Sequence, residues 1–358
     1  MNNNELNEIR NYFGLNFDIK PFGEGHINDT YITDSTPKYS LQRINHNVFK
    51  KPAEVMENII AVTGFIKKKI AAEGLDPSRR TLNFLSNAEG GYLCKTTEGN
   101  YYRMYEFIDD VVTYQLVEDP KTMYHAAKAF GKFQKYLGDF PAAELNETIP
   151  NFHNTVSRFN DLKVAIEANL SDRRDNVSEE IKFALDRESE TKIVLNAMAK
   201  GEIPMRVTHN DTKLNNVLMD VETGEGICVI DLDTVMPGSM LYDFGDALRF
   251  GTNTAEEDET DLSKVSCNLE IFEQFTKGFL EELENGITKK EVELLAFSAR
   301  LMTYECGIRF LTDYLNGDTY FKTDYPEHNL DRARNQFKLV ADMEAKAEEM
   351  EKIVKKYM

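Results

Sequence analysis

The chain has 358 residues, with 42 Lys or Arg against 61 Asp or Glu, a formal charge of −19. Its 41% hydrophobic and 11% aromatic content supplies a large core and excludes pervasive disorder. The length points to two domains or one bilobal unit. The acidic balance opposes a nucleic-acid partner, because a phosphate backbone requires a basic face. No apolar run approaches the roughly 20 residues that a membrane helix needs. Met1-Asn2-Asn3-Asn4-Glu5 has no basic stretch followed by an apolar one, so no signal peptide is expected and a cytoplasmic location is. Cys94, Cys228, Cys267 and Cys306 lie far apart, without zinc spacing, and read as reduced and mostly buried thiols.

In chain order, the first hundred residues read as strand-rich. Phe17 to Gly23 and Ile27 to Thr33 flank a glycine-bearing turn, and Lys38 to Asn45 follows the turn residues Asp34-Ser35-Thr36-Pro37. Pro52 to Ala72 carries Val55, Ile59, Val62 and Ile66 at three- and four-residue spacing, which predicts a helix. Leu82–Leu85, Tyr92–Lys95 and Tyr101–Ile108 complete an expected antiparallel sheet of about five strands with one helix. Beyond Asp109-Asp110 the pattern turns helical: Lys121 to Tyr136, then about 153–170 and 178–200. An island of short strands and loops spans roughly 205–250, and helices follow at about 268–283, 289–315 and 327–357. The expectation is an α+β chain with a β-rich lobe over 1–108 and a mainly helical lobe over 109–358. The last helix repeats Phe337, Val340, Met343, Ala347, Met350, Val354 and Tyr357, a stripe better suited to packing on its own lobe in a monomer than to a short coiled-coil dimer.

The chemistry concentrates in the island. Val207-Thr208-His209-Asn210-Asp211-Thr212-Lys213-Leu214-Asn215-Asn216-Val217 is a polar loop between apolar strands. A second strand ends in Ile230-Asp231-Leu232-Asp233, whose two carboxylates share a side if the chain is extended. Paired carboxylates are costly unless a cation or proton sits between them. This set suits phosphoryl transfer: Asp211 as base, Asn216 and a second aspartate as hard oxygen ligands for magnesium, and Lys213 to meet the transferred group's charge. Taken singly, each residue also fits a capped polar turn, with His209 a satisfied core histidine.

His209-x-Asp211-x-x-x-x-Asn216 followed by Ile230-Asp231-x-Asp233 resembles the aminoglycoside phosphotransferase and choline kinase superfamily. That resemblance implies a bilobal protein-kinase-like fold, Asp211 as catalytic base, and Asn216 and Asp231 as magnesium ligands. A narrower resemblance, to N-acetylhexosamine 1-kinases, runs through Gly23-Glu24-Gly25-His26-Ile27-Asn28-Asp29-Thr30-Tyr31, Arg206 to Asp220, Ile230 to Asp246, Glu305 to Leu315 and Tyr325-Pro326-Glu327-His328-Asn329-Leu330. It implies transfer of a phosphate from ATP to the anomeric hydroxyl of N-acetylglucosamine or N-acetylgalactosamine.

Within that reading, Gly23 and Gly25 let backbone amides approach phosphates, though such hairpins are commonly only turns. By resemblance, His26 reaches the sugar. Asp243, Asp246, Arg309 and Tyr320 are further sugar candidates. Asp243 and Asp246 also fit helix capping, and Arg309 also fits an ion pair with Glu305 one turn earlier. Glu106 and Ile108, at the lobe junction, are candidates for the adenine. The wider superfamily carries a Lys or Arg on its third strand. Here Gln42 aligns with it, a glutamine that the hexosamine kinases share, and Arg43 points to the other face. Glu54 and Glu57 are helix candidates for the glutamate that would pair with such a cation. Two other readings remain: a sister kinase acting on choline, homoserine, a methylthiopentose or an aminoglycoside, and a catalytically dead nucleotide-binding protein.

Overall fold

The computed structural model describes residues 1–23, 27–117 and 119–358. The expectations for Gly25 and His26 concern positions outside the described residues.

A helix that the sequence pattern did not announce comes first. α1 (Asn3–Phe13) is capped by the Asn2 side chain, which accepts from the backbone N–H of Glu5, and it stops at Gly14 in the left-handed region, φ 66°. The strands β1 (Ile19–Pro21), β2 (Asp29–Thr33) and β3 (Tyr39–Ile44) precede α2 (Pro52–Ala72). Then come β4 (Cys94–Lys95) and β5 (Tyr101–Glu106). Among the described residues these strands form one antiparallel sheet in the order β1-β2-β3-β5-β4. Leu82–Leu85 contributes only an isolated bridge, Phe84 to Tyr105.

Period-two alternation splits the sheet's side chains between two environments. Leu41, Tyr102 and Met104 pack outward on Ile9 and Phe13 of α1. On the other side α2 buries Val55, Ile59, Val62 and Ile66 with Ile44. Gln42 and Arg103 are register partners on β3 and β5. Arg43 turns the other way and pairs with Asp29, as the alternation requires.

β6 (Val111–Val112) pairs with β8 (Val217–Asp220), which forms a hairpin with β9 (Gly226–Val229). β7 (Arg206–Thr208) pairs with β10 (Met236–Gly238). These short strands lie among the helices α3 (Pro120–Tyr136), α4 (Thr155–Ala168), α5 (Ser178–Leu185), α6 (Ile193–Ala199), α7 (Met240–Gly251), α8 (Leu269–Leu283), α9 (Lys289–Leu315), α10 (His328–Ala345) and α11 (Ala347–Lys356). α7 is the hub: Phe244 sits among the rings of Phe272, Phe275 and Phe279 of α8 at centroid distances of 6.3, 5.6 and 5.3 Å. The segment expected as one terminal helix breaks at Lys346. Its Met343, Met350 and Val354 join the main helical core, so the apolar stripe is consumed within the lobe. Cys94, Cys228 and Cys267 are buried free thiols and Cys306 is half-buried; burial pushes the Cys228 thiol up to about 12. Among the described residues, no helix is long and apolar enough to cross a membrane.

α3 and α8 approach closely because each offers a glycine. A Cβ at Gly131 would stand 2.8 Å from the carbonyl oxygen of Phe279, and one at Gly278 would collide with that of Tyr124. Both obstacles are main chain and cannot rotate away. Gly278→Ala is therefore expected to destabilise the protein by about 1–3 kcal/mol, read as a lower urea midpoint at unchanged slope.

Candidate active site

The loop between β7 and β8 is shaped by carboxylates beneath it. Asp243 of α7 accepts from the backbone N–H groups of His209 (2.9 Å, Oδ2) and Asn210 (2.8 Å, Oδ1), and from the Gln134 amide (2.8 Å, Oδ2). Asp246, one turn later, accepts from the Thr212 N–H at 3.0 Å and from Arg249 Nε at 3.1 Å. Burial pushes the Asp243 pKa up against those donors, whereas at Asp246 burial is outweighed by the charges of Arg249, His153 and Lys213 together, which hold it low. Both side chains are buried, and neither lines the cleft described below. The expected direct sugar contacts of Asp243 and Asp246 thus give way to another placement: their oxygens are engaged in holding the loop.

His209 is fully buried, between the ring edges of Phe130 and Phe133. Its Nε2 donates to the Ile230 carbonyl at 2.8 Å, and its Nδ1 accepts from the Asp211 N–H at 3.3 Å. It is a satisfied structural histidine that ties the two strands together. Asn210 adopts φ 66°, a left-handed value that asparagine tolerates, and its amide donates to the Thr234 carbonyl at 2.8 Å. The loop therefore lifts Asp211 above its floor.

A cleft of about 430 Å³ runs between the sheet and this loop. It brings together Gly23, Gln42, Glu106, Ile108, Asp211, Lys213, Asn216 and Asp231. Lys213 Nζ lies 3.1 Å from Asp211 Oδ1, and the Asp211 charge raises the lysine pKa. The Asn216 amide donates to Asp211 at the main-chain oxygen (2.8 Å) and at Oδ2 (3.2 Å). That geometry turns Asn216 Oδ1 into a spare oxygen donor.

Asp231 sits at φ 57°, so the strand ends in a turn and the two carboxylates do not simply project side by side. Asp233 is buried and bonded bidentately by Arg103 of β5, with Nη2 to Oδ2 at 2.9 Å and Nη1 to Oδ1. Asn28 donates to the same Oδ2 at 2.6 Å. Asp231, by contrast, accepts no hydrogen bond among the described residues. Desolvation, then the charges of Asp233 and Asp211, push its pKa up to about 6. Among the described residues no cluster of three or more His, Cys, Asp or Glu side chains forms a self-sufficient metal cage. The Asp231 carboxylate and the Asn216 amide oxygen are hard donors of the kind that suits magnesium shared with nucleotide phosphates.

The expected helix glutamates are engaged elsewhere. Glu54 pairs with Lys51, and Glu57 accepts from Asn146. Arg103 was not anticipated; its only local signal was a charge inside an otherwise apolar and aromatic strand.

Arg309 and Tyr320 line a different hollow of about 190 Å³, with Arg158, Asp161 and Asp313, which shares no lining residue with the cleft. The Arg309–Glu305 ion pair is not formed. Glu305 instead accepts from His153 Nδ1 at 2.8 Å and from Thr155 at 2.5 Å. His153 Nε2 lies 3.2 Å from the Asn210 carbonyl, so both ring nitrogens face acceptors and the imidazole is held as a cation. Burial opposes that charge, but the Glu305 hydrogen bond and carboxylate outweigh it and raise the His153 pKa. Arg309 makes no hydrogen bond or ion pair among the described residues; its guanidinium stands 5.9 and 5.5 Å from the ring centroids of Phe152 and Phe321. Burial and the Arg309 charge lower the pKa of the neighbouring Arg158.

The raised imidazole pKa fixes a sign. Stability from the His153–Glu305 pair is fully present between the ordinary carboxylate value of about 4.5 and the ordinary imidazole value of about 6.5, and is lost as pH rises through the higher folded imidazole value. Thermal melts across alkaline pH are expected to show this loss. Glu305→Gln should abolish it and cost about 1–3 kcal/mol at acidic pH.

Comparison with known proteins agrees with this geometry. The family model of the APH phosphotransferase enzymes matches residues 18–264. A microcompartment-associated aminopropanol kinase superposes with a TM-score of 0.59 at 13% identity, covering 97% of this chain and 98% of its own. The amicoumacin kinase hAmiN, in complex with AMP-PNP, Ca2+ and Ami, gives 0.57 at 13% identity over 92% of this chain and 88% of its own. An ethanolamine kinase of Plasmodium vivax gives 0.51 at 15% identity over 90% and 82%. With its antiparallel N-terminal sheet and helical C-terminal part, the fold is protein-kinase-like, and the chain belongs to the APH phosphotransferase enzyme family.

Proposed function

We propose that the chain is an ATP- and magnesium-dependent kinase that phosphorylates the anomeric hydroxyl of N-acetylglucosamine or N-acetylgalactosamine. The observation that carries the kinase part is the carboxylate of Asp231, which has no hydrogen-bond or ion-pair partner among the described residues, beside the spare oxygen of Asn216 and across from Asp211 in one cleft. The observation that favours a neutral sugar is Arg309, a guanidinium with no carboxylate partner, beside a second guanidinium. Its free donors suit hydroxyl and acetamido oxygens, and Asp161 and Asp313 in the same hollow offer acceptors for sugar hydroxyls.

In this reading the nucleotide lies along the cleft. Its base meets main-chain groups near Glu106 and Ile108, and its phosphates pass the Gly23 turn. Magnesium, held by Asp231 and Asn216, neutralises phosphate charge when bound. Asp211 accepts the proton of the anomeric hydroxyl, which as a hemiacetal is more acidic than an ordinary alcohol. The sugar oxygen forms a bond to the γ-phosphorus as the bond to the β-phosphate oxygen breaks, and ADP leaves. Lys213, held 3.1 Å from Asp211, offsets charge on the moving phosphoryl group. Arg309 and Tyr320 belong to the acceptor side. They are linked to the catalytic loop through the field of Arg309 on Glu305 and His153 and through the His153 contact with Asn210.

ADP release is expected with N-acetylglucosamine or N-acetylgalactosamine and not with ethanolamine, choline or an aminoglycoside. The reverse order would remove the sugar assignment. Asp211→Asn should lower kcat by about 10²–10⁴-fold with an unchanged melt, and excess EDTA should stop turnover. Near-normal activity of the variant would remove Asp211 as the base, and full activity in EDTA would remove the metal.

A further inference from the structure

Gln42 occupies the third-strand position at which a cation is expected, and its register partner is Arg103. The two side chains touch: Arg103 Nε donates to Gln42 Oε1 at 3.0 Å, and Gln42 Nε2 donates to Thr30 at 3.1 Å. Gln42 is therefore the acceptor that aims a guanidinium borne on the next strand. A lysine at position 42 would set two cations against each other.

The guanidinium ends on Asp233, two residues beyond Asp231. Asn28 donates to the same carboxylate, and its own oxygen accepts from the Asn45 N–H at 2.9 Å. Two residues of the N-terminal lobe, Asn28 and Arg103, thus meet one carboxylate of the other lobe, with Gln42 and Thr30 behind Arg103, and all four line the cleft. Arg103 and Lys213 are the cationic side chains among the described residues that line it, and each is paired with a carboxylate, Arg103 with Asp233 and Lys213 with Asp211. A nucleotide triphosphate entering among Asp211, Asp231 and Asp233, on a chain of charge −19, needs positive charge from the protein as well as from its metal. A buried ion pair is a weak device for stability alone, since apolar residues of similar volume serve as well.

We infer that Arg103 is the small lobe's positioning cation: it clamps the Asp231–Asp233 turn to the sheet and sets positive charge beside the path of the nucleotide phosphates. The strand-to-helix ion pair of a kinase-like lobe is replaced here by a strand-to-loop pair between lobes. This rests on the phosphotransferase reading but not on the identity of the acceptor.

The test uses the full chain and no acceptor. A fluorescent N-methylanthraniloyl ATP with Mg2+ is titrated against the unaltered protein and three variants. Arg103→Met/Asp233→Asn removes both charges together, leaves no unpaired buried ion, and so preserves the fold. It should weaken binding by at least about tenfold. Arg103→Lys, which keeps the charge, should stay within about threefold of the unaltered protein. Adding Gln42→Lys to the charge-free double variant should restore much of the loss by returning a cation from the neighbouring strand. Unchanged binding by the double variant would reduce the pair to a structural staple and overturn the inference. So would an Arg103→Lys variant as weak as the double one. Binding by the unaltered protein checks the phosphotransferase reading separately.

Discussion

Carboxylate crowding is the constraint on which the site is built. Asp211, Asp231, Asp233, Asp243 and Asp246 all fall within or beneath one loop-and-strand unit, and each must be neutralised or solvated. Four of them are answered by the protein: Asp211 by Lys213, Asp233 by Arg103, Asp246 by Arg249, and Asp243 by backbone N–H groups. Asp231 is the exception: burial, then the charges of Asp233 and Asp211, push its pKa up to about 6. In the proposed reading, a divalent cation carried in on nucleotide phosphates would complete the balance. Cleft position, loop conformation and lobe contact all follow from where the four answers come from.

Those answers also show how the fold serves the chemistry. α7 is buried in the helical core through Phe244, and from that anchored helix Asp243 and Asp246 reach up to the loop. His209 and Asn210 fasten the loop to the β9 and β10 side, and His153 touches it from below. The backbone around Asp211 is thus held by main-chain bonds, while its carboxylate meets Lys213 and the Asn216 amide. The sheet supplies the remaining anchor through Arg103. A reactive residue on a loop gains its precision from such supports.

What was legible in the sequence was what is local. Pro52–Ala72 shows its helix through a proline start and a clean three- and four-residue apolar spacing. The spacing of Asp211, Asn216 and Asp231 gave the cleft's polar set because all three lie within one hairpin-and-loop unit. α1 was missed because only Ile9 and Phe13 mark its buried face within an asparagine- and glutamate-rich segment. Leu82–Leu85 looked like a strand, yet β5 gives it only a single bridge. Arg103 and His153 escaped notice, and Glu305 was read only as a partner for Arg309, for another reason: their partners are 130, 57 and 152 residues away, beyond any local pattern. Asp243 and Asp246 were read as sugar candidates or helix caps, but only the fold shows that they face the loop's backbone.

The most direct test of the account is the phosphorus NMR spectrum of a reaction containing the protein, ATP, Mg2+ and N-acetylglucosamine. The account predicts a new phosphomonoester resonance split by the anomeric proton, with ADP formed in equal amount. A phosphate carried on another sugar oxygen, or unconsumed ATP with both N-acetylhexosamines, would contradict it.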